Sequence, residues 1–204
     1  SQYQKILLKN NRAFVWQEKE GVHVKGYLFD RAGSYYEDSG LLEYFQGIDS
    51  LMDLKERVKY ASGSFSVVVE LEGVTLAAAD MIRSIPLFYC EGEKFPVISD
   101  EATALMDYVD PETSEEINTE FLATGYVTGR ETLIKGIYQV EAGQIVRFTR
   151  DDISREFYYT YRVNDESEEE YQEFRKVGLR LFNQAFEKLS VSLKGRTAVI
   201  PLSG

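Results

Sequence analysis

The residues best suited to chemistry in this sequence stand at its last three positions. Leu202, Ser203 and Gly204 complete an apolar, β-rich run that begins at Thr197. An apolar strand that leads into serine and glycine is typical of a strand–loop–helix phosphate site, in which glycine amides and a helix N-terminus hold an anion. We therefore predict that these three residues begin a phosphate-binding loop.

The other reactive side chains favour structural roles. Ser1 could act as an N-terminal nucleophile, but a residue left by tag removal is the more common origin. Cys90, which has no neighbouring histidine, is predicted to be a small buried hydrophobe. His23 lies in an alternating run, so a surface position on a strand is expected, and one histidine cannot build a metal site. The acidic run 165–170 indicates a solvated helix start.

Charge and composition exclude several classes of protein. The formal net charge is −11, whereas general nucleic-acid binding needs a basic face. No apolar run reaches the ~18 residues that a membrane span requires. A single cysteine excludes an internal disulfide and fits a reducing cytoplasm. We expect a cytoplasmic protein that contacts neither nucleic acid nor membrane.

Short strands and a few helices must position these residues. Alternating apolar residues bounded by glycine turns predict strands at residues 14–17, 22–29, 64–71, 74–79, 85–90 and 95–99, and strands or extended segments at residues 132–137 and 144–148. Apolar residues at helical spacing predict helices at residues 41–45, 51–61, 100–106 and 115–124. This order of elements indicates an α+β domain.

The chain changes character after Asp151. Ser167 followed by three glutamates suits the start of a helix, and the helical period then continues over residues 171–193. Gly195 is the expected C-cap. The strand predicted at 197–202 is apolar on both faces, as in the centre of a parallel sheet. We therefore expect the chain to continue beyond residue 204, and expect this tail to pair with another copy or to pack on the first domain.

Six segments, in order, resemble the asparagine synthetase family. Residues 79–89 resemble its Arg-Asp and Pro-Leu-Tyr-Tyr segment, and residues 199–204 resemble the opening of its Leu-Ser-Gly-Gly-x-Asp-Ser loop. The other four similar segments are residues 61–68, 98–105, 121–127 and 132–143. In that family an N-terminal-nucleophile hydrolase domain precedes an adenylating domain.

This resemblance implies a fold and two cofactors. Residues 1–155 would form an αββα sandwich of the N-terminal-nucleophile type. Residues 165–204 would be the first helix and strand of an α/β ATP-binding domain. Leu202, Ser203 and Gly204 would then bind the pyrophosphate of ATP, and a magnesium ion would share its charge.

The catalytic parts of the family's glutaminase do not match. The family's N-terminal cysteine is replaced by Ser1, and its Asn-Gly-Glu motif falls on Lys25, Gly26 and Tyr27. Its Arg-Gly-Pro-Asp and Gly-Ser-Asp stretches have no counterpart. We therefore expect no catalytic residue in this chain, and expect Tyr27 to fill the former glutamine pocket, since its ring is bulky and largely apolar.

The function implied by the resemblance belongs to a longer parent chain. It is an ATP-dependent ligase of the β-lactam-synthetase-like branch, which adenylates a small carboxylate that an amine then attacks. The glutaminase-like domain would be structural, and residues 1–204 alone inactive. Two alternatives stay open: a glutamine-hydrolysing asparagine synthetase, and a non-catalytic scaffold module. A homodimer is one expected assembly.

Overall fold

The computed structural model describes residues 4–10, 14–162 and 171–199. The chain divides into two compact units, Ser1–Thr160 and Tyr161–Gly204. The strands of the first unit are β1 Lys5–Leu7, β2 Gln17–Lys19, β3 Val22–Phe29, β4 Tyr35–Glu37, β5 Ser62–Leu71, β6 Val74–Ala79, β7 Phe88–Cys90, β8 Val97–Ser99, β9 Ile137–Gln139, β10 Gln144–Phe148 and β11 Ile153–Phe157. Its helices are α1 Asp38–Phe45, α2 Leu51–Lys59, the 3₁₀ helix Ala102–Tyr108 and α3 Glu115–Thr124. The predicted α+β class is confirmed.

Two sheets organise the first unit. The larger sheet has the order β11-β10-β6-β5-β3-β2, with β4 also paired to β3, and all its pairings are antiparallel. The smaller sheet has the order β1-β8-β7-β9, in which β1 and β8 are parallel. The parallel pair joins chain segments about ninety residues apart, since Lys5 is opposite Val97.

The buried apolar residues define four layers. One cluster lies between helices α1 and α2 and the larger sheet, and includes Leu41, Leu54 and Phe65. A second cluster lies between the two sheets and joins residues of β5, β6 and β10 to residues of β7 and β8. A third covers the other face of the smaller sheet, where Leu105 of the 3₁₀ helix packs against Cys90. The layer order is therefore helices, sheet, sheet, 3₁₀ helix.

Most predicted elements of the first unit are confirmed, with shifted ends. The strand predicted at residues 132–137 is wrong. The hydroxyl of Thr132 donates to the carbonyl oxygens of Ile134 at 3.0 Å and Ile137 at 2.8 Å. This local bonding folds the segment into a turn, so that β9 begins only at Ile137. The helix predicted at 100–106 is a 3₁₀ helix that begins two residues later.

The second unit contains one helix in its described part, α4 Tyr171–Leu193. The C-terminal end of this helix, Leu193, agrees with the sequence prediction, and the start predicted at Ser167 lies outside the described residues. The predicted stop is also confirmed, because Gly195 has φ +81° and Arg196 donates to the carbonyl oxygens of Ser192 and Leu193. No helix in the described ranges combines the length and the hydropathy needed to cross a membrane.

The predicted strand after α4 is only partly testable. Its described residues, 197–199, form no strand, so the prediction is wrong there. Ser167, the acidic run 165–170 and residues 200–204 lie outside the described residues.

Helix α4 carries an exposed apolar face. The exposed large apolar side chains include Phe174, Leu181, Phe182, Phe186 and Leu189. The rings of Phe182 and Phe186, one turn apart, lie 4.6 Å from each other. Contiguous apolar surface of this kind is uncommon in soluble monomers.

We expect the protein to self-associate through this face, as the sequence suggested. Replacing both Phe182 and Phe186 with serine should raise the dissociation constant by roughly two orders of magnitude or more, because each buried phenylalanine contributes about 1.5–3 kcal/mol. Mass measured by light scattering over a dilution series checks this. Gln184→Ser on the same helix is the matched control. A double variant that associates as strongly as the unchanged chain would place the interface elsewhere.

Candidate functional site

Strand β3 places Lys25 and Tyr27, two of the three residues aligned with the family's Asn-Gly-Glu motif, on the same face of the larger sheet. Successive side chains of a strand point to opposite faces, and Val22, Val24 and Leu28 belong to the core cluster under α1 and α2. Lys25 and Tyr27 therefore point to the other face. That face is covered by the N-terminal segment, since the partly buried Ile6, Leu8 and Trp16 pack in the cluster between the sheets.

Lys25 forms a buried ion pair with Asp100. Its Nζ lies 3.1 Å from Asp100 Oδ2, and the two side chains are 1 % and 2 % exposed. Lys25 Nζ also donates to the carbonyl oxygen of Lys9 at 3.1 Å and lies 5.5 Å from the centre of a Trp16 ring. A buried ammonium needs partners of this kind, because desolvation of an unpaired charge is very costly.

The carboxylate of Asp100 is bound on both oxygens. Its Oδ1 accepts from the backbone N–H of Lys9 at 3.0 Å, and its Oδ2 accepts from Trp16 Nε1 at 2.9 Å as well as from Lys25. These four residues, Lys9, Trp16, Lys25 and Asp100, are called the Lys25 cluster below. The cluster ties the N-terminal segment to β3 and to the chain that follows β8. Every charge in its interior has a partner.

The position predicted for His23 is wrong. The side chain is buried, with the residue 7 % exposed. Its Nε2 lies 3.0 Å from Glu70 Oε1, and its Nδ1 lies 3.4 Å from Glu18 Oε2. Burial alone would raise the pKa of Glu70, but the hydrogen bond with His23 contributes to holding that pKa below its ordinary value. The alternation of apolar and polar residues in β3 predicted correctly which face is polar. It could not show that the N-terminal segment covers that face.

Gly26 and Tyr27 leave little room beside β3. Gly26 has φ +107°, and a Cβ there would collide with the carbonyl oxygen of Ser64 and lie 2.8 Å from Ile85 Cδ1. The Tyr27 ring is half-buried and packs 5.9 Å from the ring centres of both Phe14 and Tyr35. This packing agrees with the filling role predicted for Tyr27.

Asp80 organises the turn after β6. Its carboxylate accepts from the backbone N–H groups of Phe65 at 3.1 Å, Ile82 at 2.9 Å and Ser84 at 3.0 Å. Arg83 in this turn has φ +55°, and its guanidinium lies 5.3 Å from the Phe88 ring centre. Arg83 therefore takes a turn position, and its side chain makes no ion pair with Asp80 among the described residues.

No described residue offers an activated nucleophile or a metal site. Cys90 is fully buried, and burial raises the pKa of its thiol, so the predicted role as a small hydrophobe is confirmed. No group of three or more His, Cys, Asp or Glu side chains in the described ranges could hold a metal ion. Ser1, Leu202, Ser203 and Gly204 lie outside those ranges, so the predicted phosphate loop stays a prediction.

Sequence reasoning missed the Lys25 cluster. One signal was available: Lys25 stands at the centre of the apolar strand 22–29. A lysine there must either reach water or meet a buried counter-charge. The partner, Asp100, is 75 residues away in the sequence, and no local pattern connects the two positions.

The fold and the site define a two-sheet α+β domain with a buried ion pair on its inner strand. No protein-family model matches the chain, and no curated protein matches it. Similar solved structures include glutamine phosphoribosylpyrophosphate amidotransferase from B. subtilis complexed with ADP and GMP, and a structure described as the allosteric regulatory enzyme of purine biosynthesis. Each is 14 % identical with a TM-score of 0.42, over 72 % of this chain and 31 % of the other. The chain thus spans less than a third of these structures, and a TM-score under 0.5 does not establish a shared fold.

Proposed function

We propose that residues 1–155 form a degenerate glutamine-amidotransferase-like domain, of the N-terminal-nucleophile architecture, that does not hydrolyse glutamine. Six family-like segments in order support the family, and the layer order of helices, sheet, sheet and 3₁₀ helix is compatible with that architecture. The domain's role is structural. It belongs to an ATP-dependent carbon–nitrogen ligase of asparagine synthetase type.

The Lys25 cluster carries this proposal. Lys25 stands where the resemblance places the asparagine of Asn-Gly-Glu, and its ammonium donates to Asp100 and to the Lys9 carbonyl oxygen. Those contacts hold the side chain in the interior, where it is 1 % exposed and is not accessible to a substrate. Tyr27 stands in place of the glutamate, and its phenol ring packs against other aromatic rings. A phenol cannot supply the negative charge that a substrate ammonium group requires.

The ligase half of the proposal rests on the sequence after α4. Leu202, Ser203 and Gly204 would begin the loop that holds the pyrophosphate of ATP, and magnesium would share the phosphate charge. ATP would supply the activation of a small carboxylate as an adenylate, which an amine then attacks with release of AMP. We place this activity in the cytoplasm.

We expect purified protein to release no glutamate from glutamine above the rate without enzyme. Lys25, whose ammonium is buried and paired with Asp100, and Tyr27, which has no carboxylate, do not replace the asparagine and glutamate of the family's motif. A coupled glutamate assay measures this directly, and a glutamine-hydrolysing amidotransferase assayed in parallel confirms that the conditions are adequate.

Glutamate release that disappears in Ser1→Ala would overturn the proposal and favour the alternative, a glutamine-hydrolysing asparagine synthetase. The ligase half has its own assay, which is exchange of labelled pyrophosphate into ATP in the presence of candidate carboxylates. Absence of both activities in the full-length protein would favour the scaffold alternative.

A further inference from the structure

One cavity of the first unit lies away from the Lys25 cluster and from Lys25, Gly26 and Tyr27 of β3. Its volume is about 410 Å³, which is within the range of small-molecule sites. It is formed by β7, β9, the turn between β10 and β11, and the loop 91–96. The lining includes the buried Tyr89 and the partly buried Tyr138 and Arg130, and its apolar part includes Phe95 and Ile153.

Tyr89 is the buried polar group of this cavity. The residue is 1 % exposed, and its hydroxyl has no hydrogen-bond partner. Its ring is held by Tyr138, with centres 5.5 Å apart, and by Phe148, with centres 5.3 Å apart. Burial raises the pKa of Tyr89 to about 12, so the hydroxyl keeps its proton and is available to donate. Buried hydroxyls without a partner are rare and destabilising, so a missing acceptor is indicated.

Arg130 supplies a positive charge beside this hydroxyl. Its guanidinium lies 4.6 Å from the centre of the Tyr138 ring, which fixes the orientation of its plane. Its Nε lies 3.3 Å from Glu131 Oε1. Within the described part of the chain, the two terminal nitrogens make no hydrogen bond. They are therefore free to bind an oxyanion as a pair.

The remaining charged residues of the lining do not favour a ligand of either sign. They are exposed side chains of both signs, namely Glu91, Glu93, Lys94, Arg150, Asp151, Asp152 and Arg155. Exposed charges are screened by water and salt, and opposite signs compensate one another. Arg130, although its side chain is 41 % exposed, is the cation that acts on the buried Tyr89 hydroxyl, and one guanidinium with one phenol matches a single negative charge.

We propose that this cavity binds a small molecule with one carboxylate, whose oxygens accept hydrogen bonds from Arg130 and Tyr89 and whose other end is neutral or cationic. A phosphate dianion carries two negative charges and would need a second cation beside the Tyr89 hydroxyl. This inference is independent of the function proposed above, because it uses none of the same residues. It also accounts for the unpaired Tyr89 hydroxyl.

The test is a ligand titration of the full chain in which the melting temperature is measured at each ligand concentration. The probes are acetate, benzoate and 4-aminobutyrate at concentrations up to about 50 mM, with sodium chloride at matched ionic strength and benzamide as the uncharged counterpart. At least one carboxylate should raise the melting temperature in a saturable manner, benzamide should not, and inorganic phosphate should act more weakly. No saturable rise with any carboxylate would overturn the proposal.

Two variants locate the effect. Arg130→Met should remove the stabilisation by the carboxylate, and Tyr89→Phe, which keeps the ring packing, should weaken its affinity by roughly tenfold. Arg180→Met on α4 is the matched control and should bind as the unchanged chain does. An equal response in Arg130→Met, provided that the variant melts cooperatively, would overturn the proposal.

Discussion

Replacing Asp100 with asparagine should lower the free energy of unfolding by about 3–5 kcal/mol, the usual cost of breaking a buried ion pair on one side. The substitution keeps the shape of the side chain and removes its charge. Lys25 would then stay 1 % exposed with no counter-charge, and could be accommodated only by losing its proton or by opening the N-terminal segment. Urea unfolding followed by Trp16 fluorescence measures the change, because Trp16 donates to Asp100.

The double variant Lys25→Met with Asp100→Asn separates pairing from packing. If the destabilisation comes from the uncompensated charge, the double variant should be more stable than Asp100→Asn alone. The control is Lys135→Met, which removes an exposed ion pair with Glu112 at 3.3 Å, and should change stability by less than about 1 kcal/mol. An Asp100→Asn effect as small as that of the control would contradict the ion-pair interpretation.

The second large effect is expected at Asp80. Asp80→Ala should cost roughly 3–5 kcal/mol, because three backbone N–H groups lose their acceptor and a buried unsatisfied donor costs about 1–3 kcal/mol. One of these donors, Phe65 N, is in the interior of the larger sheet. Asp80→Asn retains one carbonyl oxygen and should lose about half as much. Chemical denaturation monitored by circular dichroism gives both values.

Asp30 provides the matched control for this prediction. Its carboxylate accepts from the backbone N–H groups of Ala32 at 2.9 Å and Ser34 at 2.8 Å in a similar turn, but at the surface. Water can replace the acceptor there, so Asp30→Ala should cost about 1 kcal/mol or less. Equal losses at Asp30 and Asp80 would show that burial does not set the cost of the Asp80 turn.

The elements that sequence predicted best are those with a long repeat. Helix α4 runs through about six turns of regular apolar spacing, so its C-terminal end was predicted correctly. Strand β10 lies between Gly143 and a polar turn, and its ends were also predicted correctly. The strands missed entirely were β1 and β4, with three residues each, and β11, which is a partly exposed edge strand. Strands β2 and β9, also of three residues each, overlap their predicted segments by one residue only. Three residues give no measurable period, and a polar edge strand lacks the apolar alternation.

The candidate site was predictable only in part. The sequence placed Lys25, Gly26 and Tyr27 together on a strand and predicted that Tyr27 fills space, with which the packing agrees. It did not identify Asp100 or Trp16 as partners of Lys25, nor Glu70 as a partner of His23. These contacts depend on which distant segment covers a polar face, and a residue pattern within one strand contains no information about that.

The parallel pairing of β1 with β8 has a consequence for the order of folding. The strand partner of residues 5–7, which is residues 97–99, is made about ninety residues later. Contacts of such sequence separation close slowly, because the loop entropy must be lost before they form. On the ribosome, the larger sheet from β2 to β6 can pair while β1 is still unpartnered. We therefore expect Lys25 to stay hydrated through the early steps, and its burial beneath Trp16 to be a late event that waits for synthesis of Asp100.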